Sequence, residues 1–268
     1  MALNQLGSLE DPAFVGFLES TRPYSYRIGG QIAESNGDVQ IFVDSAEQPS
    51  LCVHGGRGWL ATLGTTEAII ENLADLDQMA LGMEAAGEKP YHPNAQQEER
   101  VMRLSALPAD VREAIISRRP LVRETPCGLY ILAEDEFTPV VDGPPMDRIR
   151  EDEISLVSSM GQHGERDAYI TERIARAPHA AVHVGDELAA YMIVHANGSI
   201  GMLHTIEKFR NQKLGRAVAS ALAAMQIARG APVYCYIIDG NTPSQRVFGS
   251  LGFRRVADVS WSVFEMEN

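Results

Sequence analysis

The chain has 268 residues, 45% apolar and 22% charged, which is the ordinary globular range. It holds 23 Lys and Arg against 36 Asp and Glu, a formal net charge of -13, and so acidic a surface repels phosphate backbones and argues against a nucleic-acid partner. There is no apolar run of the ~18 residues that cross a bilayer, no basic start and apolar core of a signal peptide, and no disulfide or zinc spacing among Cys52, Cys127 and Cys235, so a soluble, cytoplasmic chain with no membrane and no metal is expected.

The acidity is uneven: residues 1–140 hold 10 Lys and Arg against 21 Asp and Glu, and residues 141–268 hold 13 against 15. In chain order, Asp11-Pro12 starts a short helix through Phe14, Phe17 and Leu18. Val39 to Val43 reads as a strand, and residues 50–54 and 59–63 as a hairpin around Gly55-Gly56-Arg57-Gly58, which lacks Walker spacing. Thr66 is placed to cap a helix holding Ile69, Ile70, Leu73 and Leu76; Pro108 to Arg119 is a helix stopped by Pro120, and Gly128 to Leu132 a closing strand. Three prolines and a glycine in Thr138 to Asp147 mark a linker, so the chain divides into domains at 1–137 and 147–268 with 138–146 between them.

The second half alternates more regularly. Helices are expected over Glu151 to Met160 and Asp167 to Ala177, then strands over Ala180 to Val184 and Leu188 to His195. Asn197-Gly198 is a strong hairpin signal leading into a strand from Ser199 to Thr205. A long helix runs from Leu214 to Arg229 with Val218, Leu222 and Met225 on one face, and Gly230 ends it. A strand over Val233 to Asp239, a helix over Pro243 to Ser250 and a last strand through Val263 follow. The fold class is α/β (α+β), with mixed, mostly antiparallel sheets flanked by helices. His179 and His183 straddle a helix-to-strand junction, which argues against a metal site.

The segment Met202 to Arg216 is strand, polar loop, helix N-terminus. First-turn amides have no partner inside a helix and the dipole there is positive, so this arrangement suits a pyrophosphate. Arg210, Lys213 and Arg216 add positive charge, and Gly215 permits close approach to the backbone. A second segment, Asp239 to Phe253, joins a strand end and Asn241 to a short helix, with Phe248 seven residues on and then Gly252-Phe253.

Together the two segments resemble the GNAT superfamily of acyl-CoA N-acyltransferases. Arg210, Leu214 and Gly215 fit its Arg/Gln-x-x-Gly-x-Gly/Ala run, with Lys213 in place of the first Gly. Asn241, Ser244, Phe248, Gly252 and Phe253 fit its Asn-x-x-Ala/Ser run. Gly164-Glu165-Arg166 with Tyr169-Ile170, residues 197–203 and residues 231–235 look like the glycine N-acyltransferase-like branch, whose N-terminal half is thought to be a degenerate GNAT unit. The resemblance implies tandem GNAT-like folds and acetyl-CoA or another acyl-CoA as cosubstrate. It implies pantetheine against the amides of Leu203, His204 and Thr205, and pyrophosphate on those of Asn211, Gln212, Lys213, Leu214, Gly215 and Arg216, beside Arg210. Asn241 and Phe248 would lie along the pantetheine arm. The acceptor it implies is the amine of a small molecule or amino acid.

The branch's general base, a Glu, falls at Ser199, and its Tyr acid at Phe248. Ser199 cannot act as a base at neutral pH. His204 has the right chemistry, but as five residues of strand separate the two, alternation assigns them opposite faces. His195, across the Asn-Gly turn, and Glu207, in the loop, are further candidates. A catalytically silent acyl-CoA-binding module and an acetyltransferase for protein amino groups are the alternatives.

Overall fold

The computed structural model describes residues 3–88, 100–160 and 167–267; Gly164-Glu165-Arg166 lies outside them. The chain forms two compact units, Met1–Cys127 with Ala257–Asn268, and Gly128–Val256. The proline-rich residues 138–146 lie within the second unit.

In the first unit, β1 (Asn4–Gln5) is followed by α1 (Pro12–Ser20). Asp11 caps α1, accepting from Ala13 N at 2.8 Å, and the helix buries Phe14 and Phe17. Next comes α2 (Tyr26–Glu34), which its Gly29-Gly30 pair hid from a propensity reading. Then follow β2 (Phe42–Val43), shorter than the strand expected from Val39, and β3 (Leu51–Gly56) and β4 (Trp59–Gly64), the expected hairpin. The expected single helix is two, α3 (Thr66–Glu71) and α4 (Leu73–Ala85), broken at Asn72. Thr65, not Thr66, is the cap, its hydroxyl accepting from Ala68 N at 3.2 Å.

A strand with no alternating pattern, β5 (Val101–Pro108), precedes α5 (Ala109–Ile116). β5 is buried on both faces over Val101 to Leu107, so no period-two signal exists to read. β6 (Leu121–Leu132) starts well before the expected Gly128. The sheet of this unit runs β1-β2-β3-β4-β5, antiparallel except for the parallel β4–β5 pair. Leu51, Leu60, Ile69, Leu76, Met102 and Leu104 form its core between sheet and helices.

The second unit contains α6 (Ile154–Met160), α7 (Asp167–Arg176), β7 (His179–Val184), β8 (Glu187–Val194), β9 (Ile200–Thr205), α8 (Leu214–Ala228), β10 (Val233–Ile238) and α9 (Thr242–Gly249). β7-β8-β9 is an antiparallel sheet, and β10 pairs with β6. α8 buries Val218, Leu222, Ala219 and Ala223 against β7, β8 and β10. Met225, expected on that face, is 37% exposed, and Gln226 is inward at 1%; the buried row is 218, 222, 226, the i+4 spacing of a helix. Gly252 (φ 102°) has no alternative residue, because a Cβ there would stand 2.1 Å from Glu136 O.

The last strand, β11 (Arg254–Glu265), pairs antiparallel with β5, Val259 opposite Pro108 and Glu265 opposite Val101. Residues 257–268 therefore count with the first unit.

Candidate functional site

β9 and β10 follow one another around α8, yet among the described residues no ladder joins them: β9 ends one sheet and β10 ends the other. Side chains of β10 and α8 tie the turn that precedes β9. The Tyr234 hydroxyl donates to Asn197 O, and Gln226 Nε2 donates to Gly198 O at 3.4 Å. Beyond that tie, Gly201 to Thr205 is only half-buried, with one backbone edge of β9 outside any sheet. An unpaired strand edge is a row of donors and acceptors awaiting a partner.

The loop leaving β9 makes one 3-10 turn, Glu207–Phe209, and then passes through left-handed conformations at Asn211 (φ 64°) and Lys213 (φ 62°). Lys213 is the N-cap of α8 and provides no side-chain cap, and no acidic residue sits in the first turn. The first helical bond is Ala217 N to Lys213 O at 3.1 Å. The amides of Leu214, Gly215 and Arg216 thus point out of the helix end with its positive potential. Left-handed residues alternating with others turn successive N–H groups toward one point, the geometry of an anion nest.

The side chains fit that use. A Cβ on Gly215 would meet Thr205 Oγ1 at 3.0 Å and Leu203 Cδ1 at 3.8 Å, so glycine keeps the space beside Thr205 open. Arg216 is fixed by α9, donating from Nε to Ser250 Oγ at 3.0 Å. Arg210 is exposed and donates to Thr205 O at 3.4 Å; Gln212 and Lys213 are exposed. Leu203 packs half-buried on the core under α8. A diphosphate with an extended amide-bearing arm matches this donor set: orphan helix amides and two arginines at one end, an unpaired strand edge leading away.

The second motif is placed differently from the first. Asn241 is the N-cap of α9, accepting from Ser244 N at 3.2 Å, so its side-chain oxygen is already engaged. Phe248 is 3% exposed and meets Phe253 edge-on at 5.0 Å within the hydrophobic core. It supplies packing and no proton.

The register of β8 and β9 corrects the alternation expected for Ser199 and His204. His195 N donates to Ser199 O at 2.8 Å, Ile193 is opposite Gly201, and Tyr191 is opposite His204. Between Gly201 and His204 β9 carries one residue more than β8, and Met202 takes φ 52°. This bulge resets the parity, so Ser199, Gly201 and His204 share one face of the sheet. Ser199 is buried there, its hydroxyl donating to Asn197 Oδ1 at 2.7 Å inside the turn. The His204 ring stacks on Tyr191, centroids 5.8 Å apart; burial, and then the charge of Arg210, hold its pKa below the ordinary histidine value. Glu207 is exposed in the loop.

Tyr169, matched by the resemblance but given no role in it, and His195, one of the further candidates, come together beside this face. Tyr169 of α7 stacks on His195 with centroids 6.2 Å apart, its hydroxyl 2.8 Å from His195 Nδ1. Gly201 makes room for that ring: a Cβ there would lie 2.4 Å from His195 Nε2. The hairpin register, once fixed by Asn197-Gly198, is the signal that sets His195 beside Ser199. Elsewhere, His183 Nε2 lies 2.8 Å from Glu153 Oε1, and His179 meets Ala177 O at 3.2 Å. Among the described residues no helix is long and apolar enough to cross a membrane, and no cluster of three metal-ligand side chains occurs.

Residues 183–262 match the model of the FR47-like protein family. No curated protein sequence matches the chain. Among solved structures, a Drosophila protein is similar over 98% of both chains at 17% identity and a TM-score of 0.71. A tandem GNAT protein from the clavulanic acid biosynthesis pathway is similar over 98% of this chain and 97% of its own, at 15% identity and 0.55. A GNAT-family acetyltransferase from Colwellia psychrerythraea is similar over 99% and 100%, at 11% and 0.56. The fold is that of the GNAT N-acetyltransferases.

Proposed function

We propose that this chain is an acyl-CoA N-acyltransferase that moves an acetyl or other acyl group from coenzyme A to the amine of a small molecule or amino acid. The observation that carries this reading is the pairing of an uncapped α8 N-terminus with an unzipped β9 edge, one above the other in the chain and opening to the same loop. In this reading the amides of Lys213 to Arg216, with Arg210 and Arg216, hold the pyrophosphate. The exposed edge of Leu203, His204 and Thr205 pairs with the pantetheine amides. A bound acyl-CoA supplies an activated thioester carbonyl, and the chain orients it, excludes water and accepts the amine's proton.

Thiolate is a weak base, so its departure needs no strong acid, which agrees with an apolar Phe248 at the position of the expected tyrosine. The acceptor's class rests on the resemblance to the glycine N-acyltransferase-like branch. Absence of the branch's glutamate and tyrosine favours one second reading, a module that binds acyl-CoA without turning it over. Thiol release from acetyl-CoA and longer acyl-CoAs, measured with a panel of primary amines and amino acids, separates the two. Amine-dependent release supports transfer; tight binding with no release supports the module.

A further inference from the structure

The sequence position of the missing base is taken by Ser199, whose hydroxyl is tied into the turn. Directly across the hairpin stands His195: its backbone N–H donates to Ser199 O, which makes the two a cross-strand pair with side chains on one face. The imidazole leans along the strand over Gly201, with Nε2 turned to β9 one residue before the bulge at Met202. The bulge opens onto the unpaired β9 edge that the proposed acyl arm follows inward from α8. In the transferase reading, the amine that attacks the thioester approaches on this side.

Its orientation is fixed from behind. The Tyr169 hydroxyl lies 2.8 Å from Nδ1 and also accepts from Ala196 N at 3.4 Å. One turn further along α7, Arg173, 1% exposed, donates from Nε to Val194 O at 3.0 Å and anchors the helix that carries Tyr169. Among the described residues, the ionisable side chains on elements beside the imidazole include Tyr169 and Arg173 of α7, with Glu172 3.8 Å from Arg173, Tyr191 further along the same face of β8 and His204 further along that of β9. With the proton on Nδ1, donated to Tyr169 Oη, Nε2 is the basic nitrogen on the β9 side.

We propose that His195, positioned by Tyr169, is the general base of the acyl transfer, replacing from β8 the carboxylate that β9 lacks at Ser199. The inference rests on the transferase reading above. Nε2 takes a proton from the amine as its nitrogen bonds to the thioester carbonyl carbon. The carbon–sulfur bond then breaks, the electron pair leaves with sulfur, and the imidazolium returns the proton to the thiolate. Amine and acyl-CoA become amide and free thiol, and His195 ends neutral.

The test uses the full chain with acetyl-CoA and a panel of glycine, spermidine and phenethylamine, followed by thiol release from pH 5.5 to 9.5, with coenzyme A affinity measured calorimetrically in parallel. His195→Gln is expected to keep coenzyme A binding within about threefold, and to lower kcat by ~10²-fold or more with loss of the acidic limb of the pH profile. His195→Ala should regain activity with added imidazole, which a merely structural side chain does not. Tyr169→Phe should shift the acidic limb to lower pH and lower kcat, because Nδ1–H loses its acceptor and the imidazolium is less stabilised. Unchanged turnover and profile in His195→Gln, or loss of the limb in His204→Gln alone, overturns the assignment of His195 and leaves the transferase reading standing. A wild-type chain that neither binds coenzyme A nor releases thiol overturns both.

Discussion

The chain makes the same crossing twice, strand to helix to neighbouring strand, and finishes it in opposite ways. In the first unit β4 turns directly into α3: Thr65 caps the helix and Glu67 occupies its first turn. Gly64 is packed so closely that a Cβ would stand 2.4 Å from Ser50 O. The strands on either side are joined, Leu60 bridging to Leu104 and Ser105 Oγ donating to Leu60 O at 2.9 Å. The Arg27 guanidinium fills the space behind, donating to both Ser105 O and Ser105 Oγ. In the second unit the helix end has no cap and no acid, and β9 and β10 are not laddered. A capped, acidic helix start repels an anion and a laddered strand offers no free edge. In the proposed reading one loop and one unmade ladder hold the cosubstrate, and at the matching crossing of the first unit Thr65, Glu67 and the Ser105–Leu60 contact close those features off.

The largest effect that sharpens this contrast is expected from Gly215→Glu. The substitution supplies the second unit with the first-turn acid of the first, in the space beside Thr205 Oγ1. Coenzyme A affinity should fall by ~100-fold or more while urea unfolding is little changed, since glutamate is well suited to a helix N-terminus. Isothermal titration checks it, and an unaltered affinity breaks the comparison.

Ser105→Ala should cost about 1–3 kcal/mol, because the hydroxyl, 2% exposed, serves Leu60 O and Arg27 together. Chemical denaturation measures that loss. Coenzyme A binding by the same variant should match wild type, as α3 keeps its Thr65 cap and its first-turn Glu67.

A smaller effect is shared by both units. Burial above all holds the pKa values of His54 in the first unit and His179 and His204 in the second below the ordinary value. Each prefers its neutral form when folded, so the unfolded chain binds more protons in the window below ~6.5. Stability should be complete above that pH and decline as pH falls toward the depressed folded-state values. Urea midpoints between pH 7.5 and 5.5 should follow this slope, and His179→Gln should flatten it.

The site's framework was legible where local chemistry is strong. Asn197-Gly198 fixes a hairpin, Gly230 ends α8, and the run from Arg210 to Gly215 marks a helix start that suits phosphate. Illegible features come from long-range packing. β5 is buried on both faces and shows no alternation. Asn72 breaks a helical pattern by donating from Nδ2 to Ala68 O at 2.8 Å. The residues of β11 from Ala257 onward pack with the first unit, a choice of partner no local pattern encodes. Within the site, the extra residue at Met202 reverses the face assigned to His204, and the Tyr169–His195 contact joins residues 26 apart in sequence. Phe248 matched a motif position, yet its surroundings make it a core residue.

In the proposed reading coenzyme A is held at the α8 start of the second unit, while the matching start of α3 in the first unit is capped and acidic. Amide hydrogen exchange of the full chain with and without coenzyme A tests it most directly. Protection is expected in peptides covering residues 200–216, strongest at Lys213 to Arg216 and along Leu203 to Thr205, with residues 60–70 and 101–110 unchanged. Protection at 60–70 with none at 200–216 would contradict the account.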